Sequence, residues 1–200
     1  MLPWPNATDK ASVLARIECA WISLNQAVAG LSEERMCSAG PDGWTIKDHL
    51  AHIAAWNLSL VALLERRHRQ AALDLEGFST TDWDGQNQVM LRRHRALVPD
   101  EVRALLDGSR VMVLKVLGRL TDADLSRPYR DYQPQDERTG PLTSDDPVVC
   151  YVIDSIEDHV AEHLLTIRSL LSDLGPKGEA SLAPTASPSK TVVHLTPYSP

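Results

Sequence analysis

Apolar side chains recur at helical spacing along most of this chain, and that periodicity leaves few folds open to it. In residues 9–29 the series Val13, Leu14, Ile17, Trp21, Leu24 and Val28 marks one helix face, with Thr8 or Asp9 as N-cap and Gly30 as a stop. A short Ser32-Glu33-Glu34-Arg35 turn and a Gly40-Pro41-Asp42-Gly43 loop follow. A second helix is expected from Thr45, whose hydroxyl can cap it, with Asp48 placed as in a capping box, and it should run to about Gln70. Thr81-Asp82-Trp83-Asp84 opens a shorter segment ending near Arg95, whose basic run Arg92-Arg93-His94-Arg95 reads as solvent-facing. Pro99 suits a first helical position, and Asp100 and Glu101 suit the dipole of a third long helix carrying Val102, Leu105, Leu106, Val113, Leu114 and Leu117. After a polar crossover over residues 121–146, Asp146-Pro147 opens a fourth long helix reaching about Leu174. Strand signals are nearly absent. The expectation is an all-α four-helix bundle with a long crossover connection, formed by residues 1–174. From Gly175 to Pro200 periodicity gives way to Pro176, Pro184, Pro188, Pro197 and small polar residues, the pattern of a disordered tail, with Val192-Val193-His194-Leu195 as a short run that could dock.

Composition narrows the function classes. A length of 200 residues suits one well-buried domain. A net charge of −7 argues against a general nucleic-acid binder, which needs a basic surface to displace phosphate counterions. No apolar run approaches membrane-spanning length, and the start, Met1-Leu2-Pro3-Trp4-Pro5, lacks the basic and apolar parts of a secretion signal. A cytoplasmic location is therefore expected. It agrees with three cysteines, Cys19, Cys37 and Cys150, that are odd in number and widely spaced. Free cysteine is usually a small core residue, and Cys150 as a nucleophile is the lesser alternative.

Histidine placement carries the chemistry. His159 and His163 stand four residues apart, one turn on the same helical face, so two imidazoles can grip one ion while a third ligand comes from elsewhere. They lie within an apolar stripe of Val152, Ile156, Val160, Ile167 and Leu170, and His52 likewise sits among Leu50, Ile53, Trp56 and Leu60. Buried imidazoles need partners, and one shared metal would satisfy all three. The competing reading is hydrogen-bonded core histidines. His68, His94 and His194 have polar or basic neighbours and read as solvated, and His49, one turn before His52, reads as a surface residue in preference to a group supporting a ligand. Val160 stands where a zincin peptidase has its general base, and Glu162 points off the ligand face, so that peptidase chemistry is not indicated.

Gly43-Trp44-Thr45-Ile46-Lys47-Asp48-His49-Leu50-Ala51-His52-Ile53-Ala54-Ala55-Trp56, followed by Glu157-Asp158-His159-Val160-Ala161-Glu162-His163, resembles the DinB-like (YfiT-like) metalloprotein superfamily over about residues 9–174. The resemblance implies a four-helix bundle and a divalent metal held by His52, His159 and His163. Arg127-Pro128-Tyr129-Arg130-Asp131-Tyr132-Gln133-Pro134, together with Asn87-Gln88-Val89 and the Arg92–Arg95 run, looks like the ClbS/DfsB-type branch, which includes self-resistance proteins that disarm or sequester reactive natural products. The same Arg127–Pro134 stretch also reads as a loop packed by its two tyrosines.

Together these readings imply a small metal-dependent enzyme acting on reactive small-molecule electrophiles, by hydrolysis or by transfer of a low-molecular-weight thiol, in detoxification or self-resistance. Zinc is the first choice of metal, with nickel and iron as alternatives. Relatives are often dimers, which leaves a homodimer open. The alternative function is a ClbS/DfsB-like binding protein that sequesters a toxic metabolite without turnover, using Trp56, Trp83, Tyr129 and Tyr132 as flat contact surfaces. No general base stands out; Asp48, Tyr132 and Tyr151 are candidates for the mouth of the site.

Overall fold

Each long helix begins where the chain supplies a side chain to hold the first free N–H groups. In the computed structural model, which describes residues 9–75, 83–136, 138 and 141–175, α1 (Lys10–Val28) is capped by the Asp9 carboxylate, 2.8 Å from the Ser12 N–H. A one-turn α2 (Glu33–Met36) follows its Ser32 cap. For α3 (Ile46–Leu64) Thr45 and Asp48 form a reciprocal capping box, the Thr45 N–H donating to Asp48 at 3.0 Å and the Asp48 N–H to Thr45 Oγ1 at 3.2 Å. α4 spans Trp83–His94. Pro99 opens α5 (Pro99–Arg119), where Glu101 accepts from the Val98 N–H. At the far end of α5, Lys10 Nζ donates to the carbonyls of Gly118 and Leu120, both at 2.8 Å, tying α1 to the helix terminus that favours a cation. A short α6 (Asp122–Leu125) and a 3₁₀ turn (Tyr129–Asp131) lie in the crossover, which closes where the Tyr129 N–H meets the Asp146 carbonyl and the Val148 N–H meets that of Arg127.

The four-helix reading of the sequence holds. α1, α3, α5 and the last helix pack around one core built from Val13, Ile17, Trp21, Leu50, Ile53, Leu60, Val113, Leu117, Val152, Ile156, Val160 and Ile167, and the described residues contain no strand. Two boundaries differ from expectation. α3 ends at Leu64, short of Gln70, because the chain reverses through Arg66 (φ 57°) into a 3₁₀ turn at Ala71–Leu73. That reversal buries Leu73 and Leu75 against Ala55 and Met90 in a small second core, which a longer straight helix would leave in solvent. The last helix is also interrupted: α7 (Val148–Ile153) passes through a π turn (Asp154–Asp158) into α8 (His159–Asp173). The cause is in the pattern. Val152, Ile156, Val160 and Leu164 follow one another at four-residue steps and all are buried. At about 3.6 residues per turn such a series drifts off the core face, and one widened turn takes up the slack.

The expected start at Thr81-Asp82, the side chain of Trp83, and residues 176–200 with His194 lie outside the described residues.

Candidate metal centre

The capping box fixes where α3 begins, and with it the turn that carries His49, His52 and Trp56. The π turn fixes the phase of α8, which presents His159 and His163 toward that face. The structure brings together the three residues singled out in the sequence. Nε2 of His159 lies 3.0 Å from Nε2 of His52 and 3.0 Å from Nε2 of His163. The three donor atoms all fall within 4.8 Å of one another. Metal–nitrogen bonds of about 2.0–2.1 Å leave neighbouring ligands roughly 3.0–3.4 Å apart, so the two short edges have the size that one shared ion needs.

Protonation states agree with that use. His52 is 5% exposed, and burial together with the neighbouring His159 and His163 holds its pKa down to about 2. Burial brings His163 to about 3, helped by His159 and His49. His159 falls to about 4, its burial partly offset by a hydrogen bond to the backbone of Ser155 in the π turn. All three rings are therefore neutral near pH 7 and carry a lone pair each. The backbone of Ser155, in the π turn, is the group that favours the protonated form of His159, and a backbone carbonyl is an ordinary outer partner for a ligating histidine.

Two surface assignments are corrected. His49 is 4% exposed, with Nδ1 3.0 Å from Nδ1 of His163 and its ring 5.3 Å from that of Trp44. The sequence placed it at the surface because its helix was read as one-sided, whereas α3 is enclosed on nearly every face. His94 is half-buried, not solvated: its Nδ1 is enclosed, and burial and Arg93 lower its pKa, with the Met90 backbone acting the other way. His68 is exposed as expected.

The histidines form the floor of a cavity of about 630 Å³. Trp44, Trp56 and Tyr151 give it aromatic walls, and Asp42, Asp154, Asp158 and Glu162 stand around it. Glu162 is exposed, as its sequence position suggested, yet it lines this cavity instead of pointing clear of it. Asp154 has its carboxyl pushed up by desolvation and by the charges of Asp158 and Glu162. Two arginines reach the cavity: Arg138 is paired with Asp136 at 3.1 Å, while Arg69 donates to two neutral hydroxyls, those of Ser59 and Tyr129, and forms no ion pair among the described residues. The Arg127–Pro134 segment is the packed loop: Tyr129 and Tyr132 are 0% and 2% exposed, with hydroxyls donating to Asp136 and to the Asp124 carbonyl. Neither ring lines the cavity, and neither does Asp48, which is spent on its cap. Trp44 was the aromatic the sequence analysis passed over; its position one residue before the Thr45 cap was the available signal. Cys150 is buried with its thiol pKa raised by desolvation, a core thiol with no nucleophile's environment, while Cys19 and Cys37 are exposed. No described helix is long and apolar enough to cross a membrane.

Solved structures share this architecture. A Streptococcus pneumoniae protein superposes with a TM-score of 0.68 at 14% identity, over 82% of this chain and 91% of its own. Sibling Lethal Factor Precursor, DfsB, superposes at 0.63 with 16% identity, over 85% and 99%. The colibactin self-resistance protein ClbS, solved in complex with a double-stranded DNA, superposes at 0.62 with 12% identity, over 83% and 97%. No curated protein matches the chain in sequence. The DinB superfamily model matches residues 16–167, a span running from the middle of α1 to the last turns of α8 and containing all three converging histidines. The chain belongs to the DinB superfamily.

Proposed function

We propose that this protein is a small metal-dependent enzyme of the ClbS/DfsB type, acting on reactive electrophilic small molecules through an ion held by His52, His159 and His163. One observation carries the reading: three neutral imidazoles turn their Nε2 lone pairs on one point at the floor of an aromatic-walled cavity. Three protein ligands leave at least one coordination position open, the mark of catalytic rather than structural sites. A zinc-like ion in that place polarises a substrate and lowers the pKa of a water or thiol that joins it.

The remaining steps belong to the chain. A volume of about 630 Å³ suits a small organic molecule, and Trp44, Trp56 and Tyr151 supply flat apolar contact that orients it and excludes water. Asp154 and Glu162 line the same cavity as the histidines and are carboxylates available to take up a proton there. The rim disfavours a polyphosphate backbone. Four carboxylates surround the cavity against two arginines, of which Arg138 is already paired with Asp136, and none of Asp154, Asp158 and Glu162 forms an ion pair among the described residues. A small neutral or cationic molecule is therefore the better substrate than a nucleic-acid duplex.

The second reading is sequestration without turnover, favoured by the shared fold of DfsB and ClbS. The test is elemental analysis of protein purified without a histidine tag, beside a His159→Ala/His163→Ala variant. One equivalent of transition metal, lost in the variant, is expected. Incubation with an epoxide-type electrophile and a low-molecular-weight thiol then separates the two readings. Product over many turnovers supports the enzyme, protection that stops at one equivalent supports the binder, and metal-free wild-type protein after reconstitution sinks the first reading.

A further inference from the structure

His163 has a second neighbour besides His159. Its Nδ1 lies 3.0 Å from Nδ1 of His49, on the side of the ring away from the converging Nε2 atoms. An ion between the three Nε2 atoms would stand in place of a proton in those contacts; the Nδ1 pair lies outside it, so there one ring donates and the other accepts. For His163 to offer its Nε2 lone pair to an ion, its proton has to sit on Nδ1, and the acceptor in front of that proton is His49. His49 must then carry its own proton on Nε2. That atom is enclosed without a hydrogen-bond partner among the described residues, so no second group there pulls the tautomer the other way.

His49 is also held in place. It sits one turn before His52 on α3, directly after the Asp48 of the capping box, with the Trp44 ring against it.

Resting on the metal reading above, we propose that His49 is a positioning residue of the centre: it accepts the Nδ1 proton of His163 and so fixes both the orientation and the metal-binding tautomer of that ligand. Ligating histidines ordinarily give this proton to a carboxylate or a backbone carbonyl. Here the nearby carboxylate, Asp48, is committed to the helix cap, and a neutral imidazole takes its place. An imidazole lends the ligand less negative charge than a carboxylate does, and would leave an ion held there more electrophilic.

The test needs no substrate. Full-length metal-free protein is titrated with zinc against a chromophoric chelator, for the wild type, His49→Ala and His49→Asn. The asparagine amide can set its Oδ1 where Nδ1 was, restoring an acceptor. His49→Ala is expected to weaken zinc binding by about 10–100-fold with helical content unchanged, and His49→Asn to recover most of it. In parallel, imidazole ¹⁵N resonances of zinc-loaded wild type should show His163 protonated on Nδ1 and His49 on Nε2. Equal zinc affinity in His49→Ala, or a loaded His49 protonated on Nδ1, overturns the proposal. If His49→Ala does not fold, the wild-type spectrum decides alone. Wild-type protein that binds no zinc overturns the metal reading and this proposal together, a result distinct from tight binding that ignores residue 49.

Discussion

α3 and α5 are long helices of nearly equal length that pack against each other, and they are built on opposite plans. Seventeen of the 19 residues of α3 are buried, against seven of the 21 in α5. α5 has one apolar side and one wet side, so its polar residues, Ser109 excepted, go to solvent or lie part-buried. α3 has no wet side to spare, and Lys47, Asp48, His49, His52, Asn57 and Ser59 are all enclosed. Each then needs a partner inside the protein. Lys47 Nζ donates to the Arg95 carbonyl at 2.9 Å, Asn57 to Ser109 Oγ at 3.0 Å, and Arg69 to Ser59 Oγ at 2.9 Å, while the histidines find one another. The lesson is that a helix buried all round is where this fold can keep reactive side chains dry, and that a polar residue there is a commitment.

Acid should break the contrast most strongly. In the metal-free protein the unfolded His52 ring takes up a proton near pH 6.5, while the folded ring does so near 2. Between those values the unfolded chain binds more protons, so stability falls as the pH falls; above 6.5 the shift has no effect. His52 alone withdraws about 1.4 kcal/mol per pH unit in that window, and His159 and His163 act in the same direction. Thermal unfolding followed by circular dichroism should show a midpoint dropping steeply from pH 7 to 5, and a flat profile there would contradict the enclosed, neutral cluster. A core truncation comes next. Leu63→Ala, at a fully buried site in α3, should cost about 2–5 kcal/mol, whereas Leu114→Ala, 36% exposed on α5, should cost about 0.5 kcal/mol or less. Denaturant titrations giving equal losses would erase the distinction between the two helices. The smallest effect sharpens it. Thr45→Ala should lose about 1 kcal/mol by removing the α3 cap, and because that cap sets the turn bearing His49 and His52, zinc affinity should fall with it.

The same contrast explains what could be read in advance. α1 follows its apolar periodicity almost to the residue, since one-sided burial is what that periodicity encodes; α5 does so at Val102, Leu106, Val113 and Leu117 but not at Leu114, which the periodicity placed on the core face and the structure leaves 36% exposed. The convergence of the i, i+4 pair His159–His163 with His52 was legible because a shared metal, the reading proposed for them, needs that spacing. His49 was not. The rule that sends a polar residue to the outer face fails on a helix with no outer face, and the sequence of α3 does not announce that it is central. The early end of α3 was hidden for a related reason: Leu73 and Leu75 make the reversal worthwhile only through Met90, far along the chain. The π turn did leave a trace, in the run of four-residue steps from Val152 to Leu164, which an unbroken helix cannot keep facing inward.

That turn gives the protein a point at which its chemistry and its architecture can be separated by a change in length. Because the turn absorbs one residue locally, a deletion between Asp154 and Asp158 could heal into plain α-helix, with α7 and α8 still seated on the core. What it would lose is the Ser155 backbone contact that holds the His159 ring. If the proposed centre depends on that contact, dropping a single codon would undo it with every histidine still present, and a count of histidines among relatives would not reveal which of them had done so.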